Sequence, residues 1–196
     1  MKFLSSILLV LCLSIYHTSF GKACVVNEKN TLSFEAKYDT LTPKQVIIKF
    51  LKWYKLNLNK ANSFPILIKD SANNFMINKS ASAKYLALLK SSGCLSPTYI
   101  AYWKSFFDDQ AIGLRNNPIQ SDIPDYFDLD FILITQEPEL VLDHINEIKF
   151  KTIFIRKNEA NITFVGPQKD AVQYMYEMHK TAAGWQIDYI STPDND

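Results

Sequence analysis

Hydrophobic residues follow two rhythms along this chain, helical spacing in the first half and alternation near the end. Lys151-Thr-Ile-Phe-Ile-Arg156 and Asn161-Ile-Thr-Phe-Val165 flank a polar link, Lys157-Asn-Glu-Ala160, and predict a hairpin. Two further runs, Ala171 to Lys180 and Trp185 to Ile190, meet at Thr181-Ala-Ala-Gly184 and predict a second one. An antiparallel meander of this length does not stand alone in water, so its apolar face needs cover. Upstream segments supply it. Thr42 and Pro43 predict a helix start, with Ile47, Phe50, Leu51, Tyr54 and Leu58 on one face and lysines on the other.

Asn57 to Asn74, rich in Asn and Ser and carrying Pro65, predicts a break in that helix, with Phe64 to Lys69 as a short extended piece. Ser80 or Ser82 is expected to cap a second helix with the stripe Tyr85, Leu86, Leu88 and Leu89, ending at Ser91-Ser-Gly-Cys94. Ser96-Pro97 opens a third, where Tyr99, Ile100, Tyr102, Trp103, Phe106 and Phe107 predict burial on more than one side before a stop by Gly113. Residues 116–124 form a loop bounded by prolines. Phe131-Ile-Leu-Ile134 is expected to be a buried strand, and Leu140 to Ile148 a short helix or turn. The fold class is therefore α+β, with N-terminal helices packed against a curved antiparallel sheet.

Residues 1–23 carry one early basic residue, a short apolar run and small residues before Cys24, the pattern of a secretory signal peptide. Cleavage after Ala23, or alternatively after Gly21, leaves an arm over 24–42, a single domain over 43–191 and a disordered tail over 192–196. The expected location is periplasmic or secreted, with no membrane span once the signal is removed. Lys2 and Lys22 leave with the signal, so 19 of the 21 basic residues face 20 acidic ones and the mature charge is near −1. Neither a polyanion binder nor a polybasic membrane patch follows from that balance, so no nucleic-acid partner is expected. Only Arg115 and Arg156 offer guanidinium forks for carboxylate or phosphate. Cys24 and Cys94 remain as a pair, which an oxidising compartment would join in a disulfide; lipidation of Cys24 and free thiols are the alternatives.

The order of elements, together with Phe50-Leu-Lys-Trp-Tyr54, Leu95-Ser-Pro97, Asp128-Leu-Asp130, Thr135-Gln-Glu-Pro138 and the Gly184-Trp185 strand, resembles the nuclear-transport-factor-2-like (cystatin-like) superfamily. More narrowly it looks like the exported bacterial domain of unknown function family 3828, over roughly residues 43 to 190. The resemblance implies a cone-shaped fold and export, and carries no activity to transfer. Some superfamily members use a pocket between helices and sheet for acid/base chemistry with an Asp and a Tyr.

Catalytic signatures are otherwise sparse. His144 and His179 have no ligand spacing, there is no C-x-x-C, no G-x-S-x-G elbow and no glycine-rich phosphate loop, so no catalytic residue, cofactor or metal is assigned. Asp122, Asp125, Asp128 and Asp130 cluster in sequence; Asp128 and Asp130 would share a side if extended and are a weak alternative for a cation. Asp188 is expected to face away from Ile187 and Tyr189. Trp53, Tyr54, Trp103, Tyr174, Tyr176 and Trp185 are the aromatic candidates for ligand binding, each also suited to the core. The expected function is a non-catalytic binding domain for a small molecule or protein, able to dimerise through its sheet. Alternatives are a periplasmic immunity-type inhibitor of a toxic hydrolase, and a hydrolase or isomerase working in a cone pocket. A deep pocket holding a buried Asp of shifted pKa beside a Tyr would raise the last above the others.

Overall fold

A computed structural model describes residues 41–166 and 172–192, apart from the side chains of Thr152, Phe154 and Ile155. The signal segment, Cys24, nearly all of the arm and all but Thr192 of the tail lie outside the described residues.

Helix α1 spans Pro43–Asn62. Thr42 caps it reciprocally, its Oγ1 accepting from Gln45 N while Gln45 Oε1 accepts from Thr42 N at 2.8 Å, and Pro43 presets the first turn. The buried stripe Val46, Ile47, Phe50, Leu51, Tyr54, Leu58 and Ala61 runs its whole length. The break expected at Asn57 does not occur. Asn57 satisfies its side chain within the helix, donating Nδ2 to Trp53 O at 2.8 Å, while Leu58 and Ala61 continue the stripe. Tertiary burial outweighs the low propensity of Asn.

Strands β1 (Leu67–Lys69) and β2 (Phe75–Ile77) form a small antiparallel hairpin, its turn closed by Asp70 Oδ1 accepting from Ala72 N and Asn74 N. Asn78, rather than Ser80 or Ser82, then caps helix α2 (Lys79–Lys90), accepting from Ala81 N at 3.1 Å. Ser82 is turned inward instead, with its hydroxyl on Lys79 O. Ser96 caps helix α3 (Pro97–Asn116) as its sequence predicts. This helix continues three residues past Gly113, because Leu114 lies seven residues beyond Phe107 and extends the stripe Tyr99, Trp103, Phe107. Its burial is one-sided: Tyr102 is 46% exposed.

The expected strand over Phe131 to Ile134 is a tight turn closed by a bridge between Asp130 and Thr135. Ile132 and Leu133 are fully buried, so the apolar run reports burial in the core and not a strand. A one-turn helix, α4 (Glu139–Leu142), and a 3₁₀ turn over Ile145–Glu147 lead into the main sheet.

That sheet is an antiparallel meander in the order β3 (Lys149–Arg156), β4 (Glu159–Val165), β5 (Gln173–Thr181) and β6 (Gly184–Ser191). Its two hairpins turn on Lys157-Asn158 and Ala182-Ala183. Register aligns Ala160 with Met178, Ile162 with Tyr176 and Phe164 with Tyr174, all of them buried. In β6 the alternation breaks at Asp188, an extra residue between the pairs Glu177–Tyr189 and Met178–Ile187. The bulge turns Ile187 and Ile190, three apart, onto the same buried face. The edge of β6 is closed at Ile187 by the α2–α3 link, with Ser96 N donating to Ile187 O and Ile187 N to Cys94 O, both 2.9 Å. Helix α1 packs on β4 and β6, and α3 on β6. The fold class is α+β, helices against an open antiparallel sheet. No helix among the described residues is long and apolar enough to cross a membrane.

Phe50 and Leu56 offer the direct check on this packing, since one is fully buried on α1 and the other 86% exposed on the same helix. Phe50→Ala is expected to lower unfolding free energy by about 3–5 kcal/mol in urea titration, whereas Leu56→Ala should stay within about 0.5 kcal/mol of wild type.

Candidate functional site

Asp130 sits at the start of the tight turn and holds it shut. Its Oδ1 accepts from Ile132 N at 3.0 Å and from Leu133 N at 2.8 Å, and its backbone exchanges hydrogen bonds with Thr135 O and Ile134 N. The closure drives Ile134 to a φ of +50°, a region costing a β-branched residue about 1–3 kcal/mol. Two long-range bonds offset this strain. Tyr54 of α1 donates its hydroxyl to Asp130 Oδ2 at 2.5 Å, and Tyr174 of β5 donates to Leu133 O at 2.9 Å.

Electrostatics sharpen the picture. Burial pushes the Asp130 carboxyl above the ordinary carboxylate range, Glu139 adds to the rise, and the Tyr54 hydroxyl and the two backbone amides oppose it. Tyr54 is driven far above its usual value by burial, and further by Tyr85 and Asp130. Burial also raises Tyr85, Tyr99 and Tyr176, and pushes Tyr174 up to about 12. All five tyrosines feel the Asp130 charge. They are neutral hydroxyls at any physiological pH. Tyr85 Oη is buried and close enough to the Tyr54 hydroxyl for the two to interact electrostatically, yet it makes no hydrogen bond of ordinary geometry.

A cleft of about 360 Å³ opens onto this group between the end of α1, residues 64–67 and the 127–138 segment. Tyr54, Tyr85 and Asp130 line it together with the rings of Phe64, Phe127 and Phe131, and Asn62, Asp128 and Gln136 supply its other polar side chains. Two grooves are larger, at about 520 and 540 Å³. They run along β2 and the end of α3, and between α2 and α3. Neither is lined by a tyrosine, so of these three the 360 Å³ cleft is the one with converging polar chemistry. A fourth, about 310 Å³, reaches Asp130 from the side of α3 and β6.

The six aromatic candidates are not brought together. Tyr54 alone lines the main cleft. Trp53 stacks beside Phe50 and is half-buried, Trp103 joins the α3 aromatic cluster, and Trp185 packs on the core from β6. Tyr174 and Tyr176 fill the buried sheet face, stacked on Phe164 at 4.9 and 5.7 Å. Asp128 and Asp130 both line the cleft although the segment is turned rather than extended: Asp128 is exposed and accepts from Gln136 Nε2, while Asp130 is half-buried and accepts from Tyr54. Among the described residues no three His, Cys, Asp or Glu side chains gather to hold a metal ion. Cys94 is buried and forms no disulfide among the described residues, its thiol is raised by desolvation, and its expected partner Cys24 lies outside them.

Two placements escape sequence reasoning. Tyr85 enters the cleft from what reads as a plain core stripe. His179 Nδ1 lies 2.7 Å from Asp188 Oδ2 across β5 and β6, a pairing that follows from hairpin register once the bulge is known.

Asp130→Ala would strand two backbone amides and a tyrosine hydroxyl, and is expected to cost about 2–4 kcal/mol in urea titration. Asp130→Asn keeps an oxygen for the amides and isolates the charge. A carboxyl raised on folding contributes stability that is complete below its unfolded pKa and is lost as pH rises through the folded one. Wild type should therefore lose stability relative to Asp130→Asn as pH climbs from about 4 toward neutrality; a constant difference between the two would contradict the assignment.

No family model, no curated protein and no solved structure matches this chain, and the chemistry of the site rests on its own geometry.

Proposed function

We propose that the chain is an exported binding protein, periplasmic or secreted, of the nuclear-transport-factor-2-like type and close to the exported domain of unknown function family 3828. The binding site in this reading is the cleft over Tyr54, Tyr85 and Asp130. What supports export is the pattern of residues 1–23, and what supports the kinship is a capped N-terminal helix packed on an antiparallel meander. The observation that carries the site is a half-buried carboxylate bonded to Tyr54, with the buried Tyr85 hydroxyl beside that pair, at the wall of a cleft that holds three phenylalanine rings. Asp130 accepts three hydrogen bonds and Tyr54 already donates to it, so the pair is built to hold a shape and to present polar atoms.

An enzymatic reading draws support from the raised carboxyl of Asp130 beside Tyr54, the pairing that a proton-transfer site requires. Against it, Oδ1 is saturated by two amides and Oδ2 keeps one lone pair beyond the Tyr54 bond. A general base needs that lone pair aimed at a substrate proton. Asp130 is half-buried at the wall of an open cleft and not enclosed in a deep pocket, so the condition for the enzymatic reading is met only in part and binding is the simpler use of the geometry.

A crystallographic fragment screen of the secreted form is expected to concentrate its hits in this cleft, in contact with Tyr85 or Phe131, and Phe131→Ala should weaken those hits by at least about tenfold. Hits collecting in the α2–α3 groove or along β2 instead would overturn the assignment.

A further inference from the structure

The cleft that the proposed function uses has a one-sided charge. Asp128 and Asp130 line it, and no Lys or Arg does, although the chain holds 21 basic residues. Asp128 is exposed, bonded to the neutral Gln136, and forms no salt bridge among the described residues. Phe64, Phe127 and Phe131 supply rings to the remaining wall, beside aliphatic side chains such as Ile66, Leu67 and Leu129. Phe64 meets Tyr85 edge to face at 6.5 Å, Tyr85 meets Phe131 at 5.8 Å, and Phe131 meets Phe127 at 5.6 Å, a continuous series of rings beside the carboxylates. Ring faces attract cations and carboxylates pair with them, while an anion would meet two negative groups with no compensating base.

Tyr85 supplies an independent observation. It is 2% exposed and lines the cleft, and its hydroxyl lies beside that of Tyr54 without a hydrogen bond of ordinary geometry. Tyr54 Oη has given its proton to the bond with Asp130 Oδ2, so the two neighbouring oxygens both have lone pairs to offer. An alkylammonium head carries three N–H donors and no acceptor, and so matches this acceptor-rich base.

Resting on the reading of this cleft as the binding site, we infer that its ligand is an organic ammonium ion, a primary amine with an apolar stem such as an alkylamine or a lysine side chain. The ammonium head lies between Asp128, Tyr85 and Asp130, and the stem lies along Phe64, Phe127 and Phe131.

Three probes of matched length separate charge from shape: n-pentylammonium, 1-pentanol and pentanoate, titrated at low ionic strength into the uniformly labelled protein and followed by amide chemical shifts. Pentylammonium is expected to shift the amides of Phe127, Leu129, Asp130 and Phe131 saturably. Pentanol should bind at least about tenfold more weakly and pentanoate more weakly still. Asp128→Asn, an exposed change that leaves the turn bonds alone, should weaken pentylammonium about three- to tenfold, whereas Asp108→Asn on α3, outside the cleft, should not. Pentanol or pentanoate binding as tightly as the amine at these same amides overturns the ammonium class and leaves the cleft as the binding site. Saturable amine shifts located elsewhere and indifferent to Asp128→Asn overturn the inference and the choice of cleft together. An amine that produces no saturable shift overturns the inference.

Discussion

The carboxylate of Asp130 is the constraint on which the rest of this structure turns. It closes a turn through two backbone amides, and the same group receives the hydroxyl of Tyr54 from the middle of the buried stripe of α1. A charged acceptor in a place poor in water is costly unless its lone pairs are used. Here they are used to tie a connection to a helix. The strained Ile134 and the fully buried Ile132 and Leu133 belong to that tie, since the turn pushes two aliphatic side chains into the core while bending the backbone behind them.

The helices and the sheet are brought together by more ordinary means. Apolar stripes on α1 and α3 meet a sheet face made of Ile162, Phe164, Tyr174, Tyr176, Met178, Ile187 and Ile190. The bulge at Asp188 matters because it keeps the end of β6 pointing its isoleucines inward when strict alternation would have turned one of them out. That face is filled by side chains, so the cleft over Tyr54, Tyr85 and Asp130 opens at the flank, beside the end of α1 and the 127–138 segment. A cleft of that origin has walls of connecting chain, the usual place for recognition on a rigid scaffold.

Most of the architecture was legible from residue order. Thr42-Pro43 and Ser96-Pro97 mark helix starts with a local mechanism, and the two hairpins announce themselves by alternation around polar links. What failed were features decided by distant partners. Asn57 and Gly113 look like helix ends until the stripe beyond them is seen to be buried, and Phe131 to Ile134 looks like a strand because burial, not periodicity, dictates its composition. The site was harder still. Tyr54 stood among six aromatic candidates and Asp130 among four aspartates, but their meeting depends on a contact across 76 positions of chain, and nothing local reports it. Tyr85 carried no signal except its hydroxyl, a polar atom placed where phenylalanine would have served a core.

The claim that Asp130 and Tyr54 act as one unit is tested most directly by a double-mutant cycle with Tyr54→Phe and Asp130→Asn, read by urea unfolding at neutral pH. The account predicts a coupling energy of about 1–2 kcal/mol, the double variant losing less than the two single losses together. Additive losses, equal within about 0.3 kcal/mol, would contradict it and would leave the turn and the helix held by separate causes.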